Sequence, residues 1–234
     1  MFMIRRVLQM FEQHVRGCRV SDDNDAWIKR WEEGNTGFHQ EEINDHLISH
    51  WERIVPDRQS TVLVPLCGKS KDMLWLRNRG HRVVGAELSD LAARAFFLEN
   101  DLVAEERQSG PFVVLSAGGI EIWVGDFFEL TPQRVGKLDA WYDRAAVVAL
   151  EPSVRQRYLA QLKLLLGSKA AGLMLTFDYP AEERNGPPFS VSFQDVEQVF
   201  GERFRLKLID CVDLTEGNRW ELSRVWKPVI ELRS

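Results

Sequence analysis

Gly68 and Glu87 stand nineteen residues apart, each just past a short apolar run. A glycine at the turn after a strand lets backbone approach a ligand closely. A carboxylate at the end of the next strand can accept two hydrogen bonds from ribose hydroxyls. That spacing suits a nucleoside-containing cofactor, although an acid after a strand is also commonly a solvated turn residue. The turn itself reads Pro65-Leu66-Cys67-Gly68-Lys69-Ser70 and holds one glycine. The G-x-G-x-x-G that seats a pyrophosphate on a helix N-terminus is therefore absent, and NAD and FAD are disfavoured. Gly68-Lys69-Ser70 imitates the end of a phosphate-binding loop, but the full pattern needs glycine where Leu63 stands. A nucleoside cofactor without phosphates remains, and S-adenosylmethionine is the common one on a doubly wound sheet.

Other chemistry-bearing residues also sit at strand ends. Asp126, Asp143 and Asp178 each close an apolar run, and Arg144 follows Asp143 directly. His46 and His50 are four apart on a predicted helix, the spacing of a metal pair. No H-E-x-x-H pattern or third ligand is evident, so they read as surface histidines and no metal is expected. Cys67 lies in the cofactor turn, where small size and close packing explain it better than nucleophilic catalysis. Cys211 reads as a core residue.

Alternating strands and helices must position these groups. Thr61–Leu66 is a β-branched run of the buried parallel type, followed by a helix carrying Met73, Leu74 and Leu76 that Gly80 stops. Val83–Ala86 is the second strand. Ser89 then caps a helix with Leu91, Ala95 and Leu98 on one face. Residues 121–124 and 138–142 read as further strands. Pro152 opens a helix with Val154, Tyr158, Leu162 and Leu165 on its buried stripe, closed by Gly167. Residues 172–177 form another strand, ending at Asp178. Phe204/Leu206/Leu208 and Trp220/Leu222 alternate around Glu216-Gly217-Asn218 as an antiparallel hairpin. The fold class is α/β: a doubly wound, mostly parallel sheet of the Rossmann-like type with a C-terminal antiparallel hairpin.

The 234 residues fit one domain, and a net charge of −5 argues against binding nucleic-acid phosphates or an anionic membrane. No apolar run reaches the ~20 residues that cross a bilayer. Three cysteines without a CxxC pair fit a reducing, cytoplasmic compartment. Residues 1–20 read as an amphipathic extension, docked or disordered, ahead of a polar stretch Ser21–Asp25. Residues 21–234 form the domain, with 26–40 as its N-terminal lid.

The motifs together are specific. Trp27-Ile28-Lys29-Arg30-Trp31, Gly37-Phe38-His39-Gln40, Val64-Pro65-Leu66-Cys67-Gly68-Lys69-Ser70 and Gly80–Ser89 occur in order. Gly125-Asp126-Phe127-Phe128, Tyr142-Asp143-Arg144-Ala145-Ala146 and Gly186-Pro187-Pro188-Phe189-Ser190-Val191 follow. Over residues 26–230 the chain resembles the thiopurine S-methyltransferase family, and its bacterial branch most.

The resemblance implies methyl transfer from S-adenosylmethionine, leaving S-adenosylhomocysteine, to the sulfur of small aromatic or heterocyclic thiols such as thiopurines. Selenium and tellurium compounds are further acceptors linked to bacterial members. It places Trp27, Trp31, Phe38, Leu66, Gly68, Glu87, Asp126, Phe127 and Arg144 at the cofactor. Phe38, Arg144, Pro187, Pro188 and Phe189 are expected at the acceptor. Tryptophan faces attract a cation such as a sulfonium, although Trp27 and Trp31 are also a hydrophobic pair at helical spacing. Asp126 can accept from an adenine amine while Phe127 packs on the purine. Arg144 is the expected catalytic residue: a fixed cation that stabilises an acceptor thiolate. Its plainer reading is a salt bridge to Asp143 or Glu87. No N-P-P-Y amine-methylation motif follows the fourth strand, so nucleic acid is not an expected acceptor, and a monomer is the default state. A non-catalytic module that binds S-adenosylmethionine or another nucleoside is the alternative; Arg144 and the Gly186–Phe189 lip weigh against it.

Overall fold

The computed structural model describes residues 20–234, with side chains from residue 24 onward. The amphipathic extension expected at the N-terminus falls almost wholly outside the described residues. Two compact units divide between Thr36 and Gly37. In the first, helix α1 (Val20–Glu32) places the Arg30 guanidinium 5.2 Å from the Trp27 ring centroid. The second unit carries the remaining elements.

Chain order in the second unit is α2 (Asp45–Ile54), β1 (Thr61–Pro65), α3 (Asp72–Asn78), β2 (Arg82–Glu87), α4 (Asp90–Glu99) and β3 (Glu105–Ser109). Strands β4 (Phe112–Ala117) and β5 (Ile120–Val124) precede the short α5 (Pro132–Val135) and β6 (Leu138–Arg144). Then come α6 (Pro152–Leu165), β7 (Leu166–Leu175), α7 (Phe193–Phe200), β8 (Arg205–Asp213) and β9 (Trp226–Arg233). The strands form one sheet in the order β3-β4-β5-β2-β1-β6-β7-β9-β8. The pairs β5–β2, β2–β1, β1–β6 and β6–β7 are parallel. The outer pairs on both sides are antiparallel.

Central strands are apolar on both faces because helices cover both. Leu63 joins a core with Trp141, Tyr158 and Leu162, whereas Val62 and Val64 join one with Trp51, Met73 and Phe96. Several local signals act as read. Ser89 accepts from the Ala92 amide at 3.2 Å and caps α4, and Pro152 opens α6.

The structure also corrects several expectations. The buried face of α4 is Ala92, Ala93, Phe96 and Phe97, while Leu91 and Leu98 are exposed; two phenyl rings bury more area than two leucines and set the helix rotation. On α6, Leu159 and Arg155 take the buried place expected of Val154. Strand β7 ends at Leu175 rather than at Asp178, which makes only a bridge to Trp226. The C-terminal hairpin forms, but its second strand begins at Trp226, not Trp220. Asn218 occupies the chain between with side-chain bonds to Thr215, Trp220 and Leu222, so a structured loop replaces the ladder there.

Candidate functional site

The strand order doubles back at β1, with β2 on one side and β6 on the other, so the crevice for a ligand lies beyond their carboxyl ends. Two of the four left-handed non-glycine residues among those described lie at this edge. Leu66, just past β1, has φ +48°, and Ala145, just past β6, has φ +63°. Left-handed conformations cost a bulky residue free energy, and such cost persists at sites the surrounding structure over-determines. Gly68, two residues past Leu66, has φ +52°.

Glu87 ends β2 fully inside this turn. Its Oε2 accepts from the Gly68 amide and its Oε1 from the Ser89 amide, both at 2.7 Å. Burial holds its carboxyl above the ordinary range, and these amide bonds offset only part of that rise. Each oxygen keeps a second lone pair. A carboxylate oriented by backbone and still able to accept is what a ribose diol requires. Lys69 does not reach for phosphate: its Nζ lies 2.7 Å from Glu99 Oε1 and ties the turn to α4. The turn therefore fits a nucleoside without phosphates, as S-adenosylmethionine is. Cys67 is buried beneath the turn, and a Cβ on Gly85 would come within 2.8 Å of its Sγ. Burial, then the charge of Glu87, push its thiol well up, which suits packing rather than nucleophilic attack.

Arg144 ends β6, and its salt bridge is to neither Asp143 nor Glu87. Its Nε donates to Asp72 Oδ2 at 2.7 Å, Nη2 to Ser70 Oγ at 2.8 Å and Nη1 to Gln40 Oε1 at 3.2 Å. Asp72 is fully buried, and its Oδ1 accepts from the Asn44 amide at 2.9 Å. The buried Tyr142 hydroxyl also faces the Arg144–Asp72 pair; burial opposes the charged guanidinium, while the carboxylate and this phenol favour it. Asp143 instead accepts from the Tyr158 hydroxyl at 2.7 Å and the Val147 amide at 3.1 Å, under the sheet. Sequence reasoning missed Asp72, Ser70 and Gln40 as partners of Arg144. Ser70 and Gln40 lie in quoted motifs and Asp72 two residues past one, but which side chain turns inward depends on the loop path. His39 was also missed as a candidate: burial, Lys69 and Arg144 lower its pKa, while Glu41 3.3 Å away opposes them.

The other predicted residues divide. Asp126 caps a single turn at Phe127–Glu129 by accepting from the Phe128 amide at 2.9 Å, which leaves its second oxygen available. Phe127 is buried against Tyr158, ring centroids 5.4 Å apart, at the turn that Asp126 caps. Pro187, Pro188 and Phe189 form a tethered segment beside the end of β6. The Phe189 amide donates to Val148 O at 2.7 Å, the Tyr179 hydroxyl to Pro188 O at 2.6 Å and Arg184 Nη2 to Pro187 O at 3.0 Å. Trp27 and Trp31 lie on α1 in the first unit; Phe38 opens the second.

The model of the thiopurine S-methyltransferase family matches residues 22–231. The chain belongs to that family. A thiopurine S-methyltransferase of Methylococcus capsulatus is 46% identical over 197 residues, covering 84% of this chain and 89% of the relative. One of Pseudomonas fluorescens is 44% identical over 195 residues, covering 83% and 89%. As a thiopurine S-methyltransferase family member, the chain is an S-adenosylmethionine-dependent methyltransferase acting on sulfur. Solved methyltransferases share the fold. The magnesium protoporphyrin IX methyltransferase of Synechocystis, solved with S-adenosylmethionine, superposes with a TM-score of 0.61 at 11% identity, covering 90% of this chain and 96% of that one. The 1,6-didemethyltoxoflavin N1-methyltransferase of Burkholderia thailandensis gives 0.55 at 14% identity, covering 90% and 86%.

Proposed function

We propose that this enzyme methylates the sulfur of small, flat aromatic or heterocyclic thiols, thiopurines among them, and that selenium and tellurium compounds are further acceptors. The observation that carries the reading is the pairing, at one crevice, of a backbone-oriented carboxylate, Glu87, with a largely buried guanidinium, Arg144.

S-adenosylmethionine, when bound, supplies an electrophilic methyl group on a sulfonium. Glu87 would hold the ribose hydroxyls and Asp126 the adenine amine, with Leu66 and Gly68 giving the backbone approach. Trp27, Trp31 and Phe38 are aromatic faces suited to the cationic end. Arg144 would stabilise the acceptor sulfur as thiolate, the better nucleophile, through its fixed positive charge. The Pro187–Phe189 lip, held by three hydrogen bonds, would present an apolar wall that excludes water. The donor loses its positive charge as the bond forms, so strong acid catalysis is unnecessary; alignment and desolvation supply most of the rate. No helix among the described residues is long and apolar enough to cross a membrane. On this reading the enzyme is a cytoplasmic monomer acting on a small-molecule substrate.

The test is release of S-adenosylhomocysteine when the purified protein is offered S-adenosylmethionine and a thiol panel extended to selenite and tellurite. Turnover with aryl or heterocyclic thiols supports the reading. Turnover confined to amines or hydroxyls, or none at all, would sink it.

A further inference from the structure

We infer that His46, His50 and Asp210, on the first turns of α2 and on β8, form a binding site for a borderline divalent cation of the zinc class. The third ligand that the sequence did not reveal comes from β8. Asp210 Oδ2 lies 3.5 Å from His46 Nδ1 and 3.7 Å from His50 Nε2. One ligand atom from each of the three residues falls within 4.8 Å of the others. With metal–ligand bonds of about 2.0–2.2 Å, the edges of a tetrahedral site are about 3.3–3.6 Å, close to the two Asp210 separations, and the two histidines would draw together to complete it.

Three features show that the trio is set rather than accidental. His46 and His50 are one helical turn apart, and their rings stack with an interplanar angle of 7°. The β8–β9 register slips between Leu208 and Asp210; such a bulge re-aims the side chains that follow it. Asp210 Oδ1 accepts from the Cys211 amide at 2.8 Å, which fixes the carboxylate and leaves Oδ2 for the imidazoles. The negative charge of Asp210 offsets Lys227 toward a cation. Two nitrogens and one carboxylate oxygen suit zinc, nickel or copper better than magnesium or calcium. The bound ion would staple α2 to the edge strand β8. That helix is the one whose Asn44 amide donates to Asp72, the anchor of Arg144.

The test uses the full chain stripped of metal. Zinc is titrated against a chelating dye, and cobalt is followed by its visible absorption. The expected result is one equivalent bound, with a rise in the melting temperature. His50→Gln and Asp210→Asn should each weaken binding about tenfold or more and abolish that rise. Asn at 210 can still accept from the Cys211 amide, and melting without metal checks that both variants fold. Absence of zinc uptake by the parent, or uptake unchanged in both trio variants, would overturn the site.

Discussion

On the proposed function, Arg144 would serve two partners with different demands. Asp72 is buried and needs a counter-charge, while the acceptor needs a cation it can reach. Removing the guanidinium should therefore cost stability as well as rate. Arg144→Ala leaves the Asp72 carboxylate uncompensated, for which about 3–5 kcal/mol is expected, read as a lower denaturation midpoint. Arg144→Lys keeps the charge but cannot bond Asp72, Ser70 and Gln40 at once. It should fold and turn over an aryl thiol about tenfold more slowly or worse. Affinity for S-adenosylhomocysteine is measured beside the rate, and wild-type turnover would refute the role. Glu87 has the same double character. Glu87→Ala should weaken binding of S-adenosylhomocysteine by about 1.5–3 kcal/mol in calorimetry. It should also lower the melting temperature of the free protein, because the Gly68 and Ser89 amides lose their acceptor. Unchanged affinity would dismiss the ribose assignment. Asp143 gives a pH test. Burial raises its carboxyl from 3.8 to about 6, so the folded chain holds this proton more tightly than the unfolded one. The resulting stability is complete below the lower value and lost as pH rises through the upper. Asp143→Asn should gain roughly 3 kcal/mol relative to wild type across that window, and denaturation curves whose difference stays flat there would contradict it.

At the scale of elements, what was legible depended on whether a signal was local. Strands β1, β2 and β6 are short β-branched or aromatic runs buried on both faces, and the caps Ser89 and Pro152 act within one turn, so sequence located them. Strand β3 (Glu105-Glu106-Arg107-Gln108-Ser109) is polar and almost wholly exposed; only its ladder with β4 makes it a strand, and nothing in its own residues announces that. The early start placed on the last strand failed similarly, since Asn218 replaces ladder bonds with side-chain ones and Glu221 adopts φ +56°. In the site, Glu87 and Arg144 were legible because motif and strand end coincide. Their partners were not: that Asp72 turns toward Arg144 follows from the packing of α3 and α2 around it. Gly85 shows how tightly β2 and the β1 turn are fitted. A methyl group there meets Cys67 Sγ at 2.8 Å and Met73 Sδ at 3.2 Å. Gly85→Ala should destabilise by about 1–3 kcal/mol through overpacking. Cys67→Ala made in the same chain should recover part of that loss. Strict additivity in the double-mutant cycle would show that the sulfur is not the obstacle.

Across the whole molecule, the division between Thr36 and Gly37 separates the helix bearing Trp27 and Trp31 from the unit holding Glu87 and Arg144. The strands and their helices all lie in the second unit, so its sheet does not depend on α1 for a ladder bond. This makes the contribution of the aromatic segment separable by truncation. The cut must fall before Gly37. Gly37 O accepts from Arg219 at 2.9 Å and Gln40 from Arg144 at 3.2 Å, so a deletion through residue 40 would damage the candidate site directly. Deleting residues 2–19, ahead of α1, should leave affinity for S-adenosylhomocysteine and methyl transfer nearly intact. Deleting residues 2–36 should keep the α/β circular dichroism spectrum, at some cost in stability, yet abolish measurable cofactor binding. Lids that exclude water and complete a site behave in this way. Two truncations, each with a spectrum, a melt and one binding titration, decide the matter. A longer truncation that stays folded and binds S-adenosylhomocysteine as the full chain does would return Trp27 and Trp31 to a packing role.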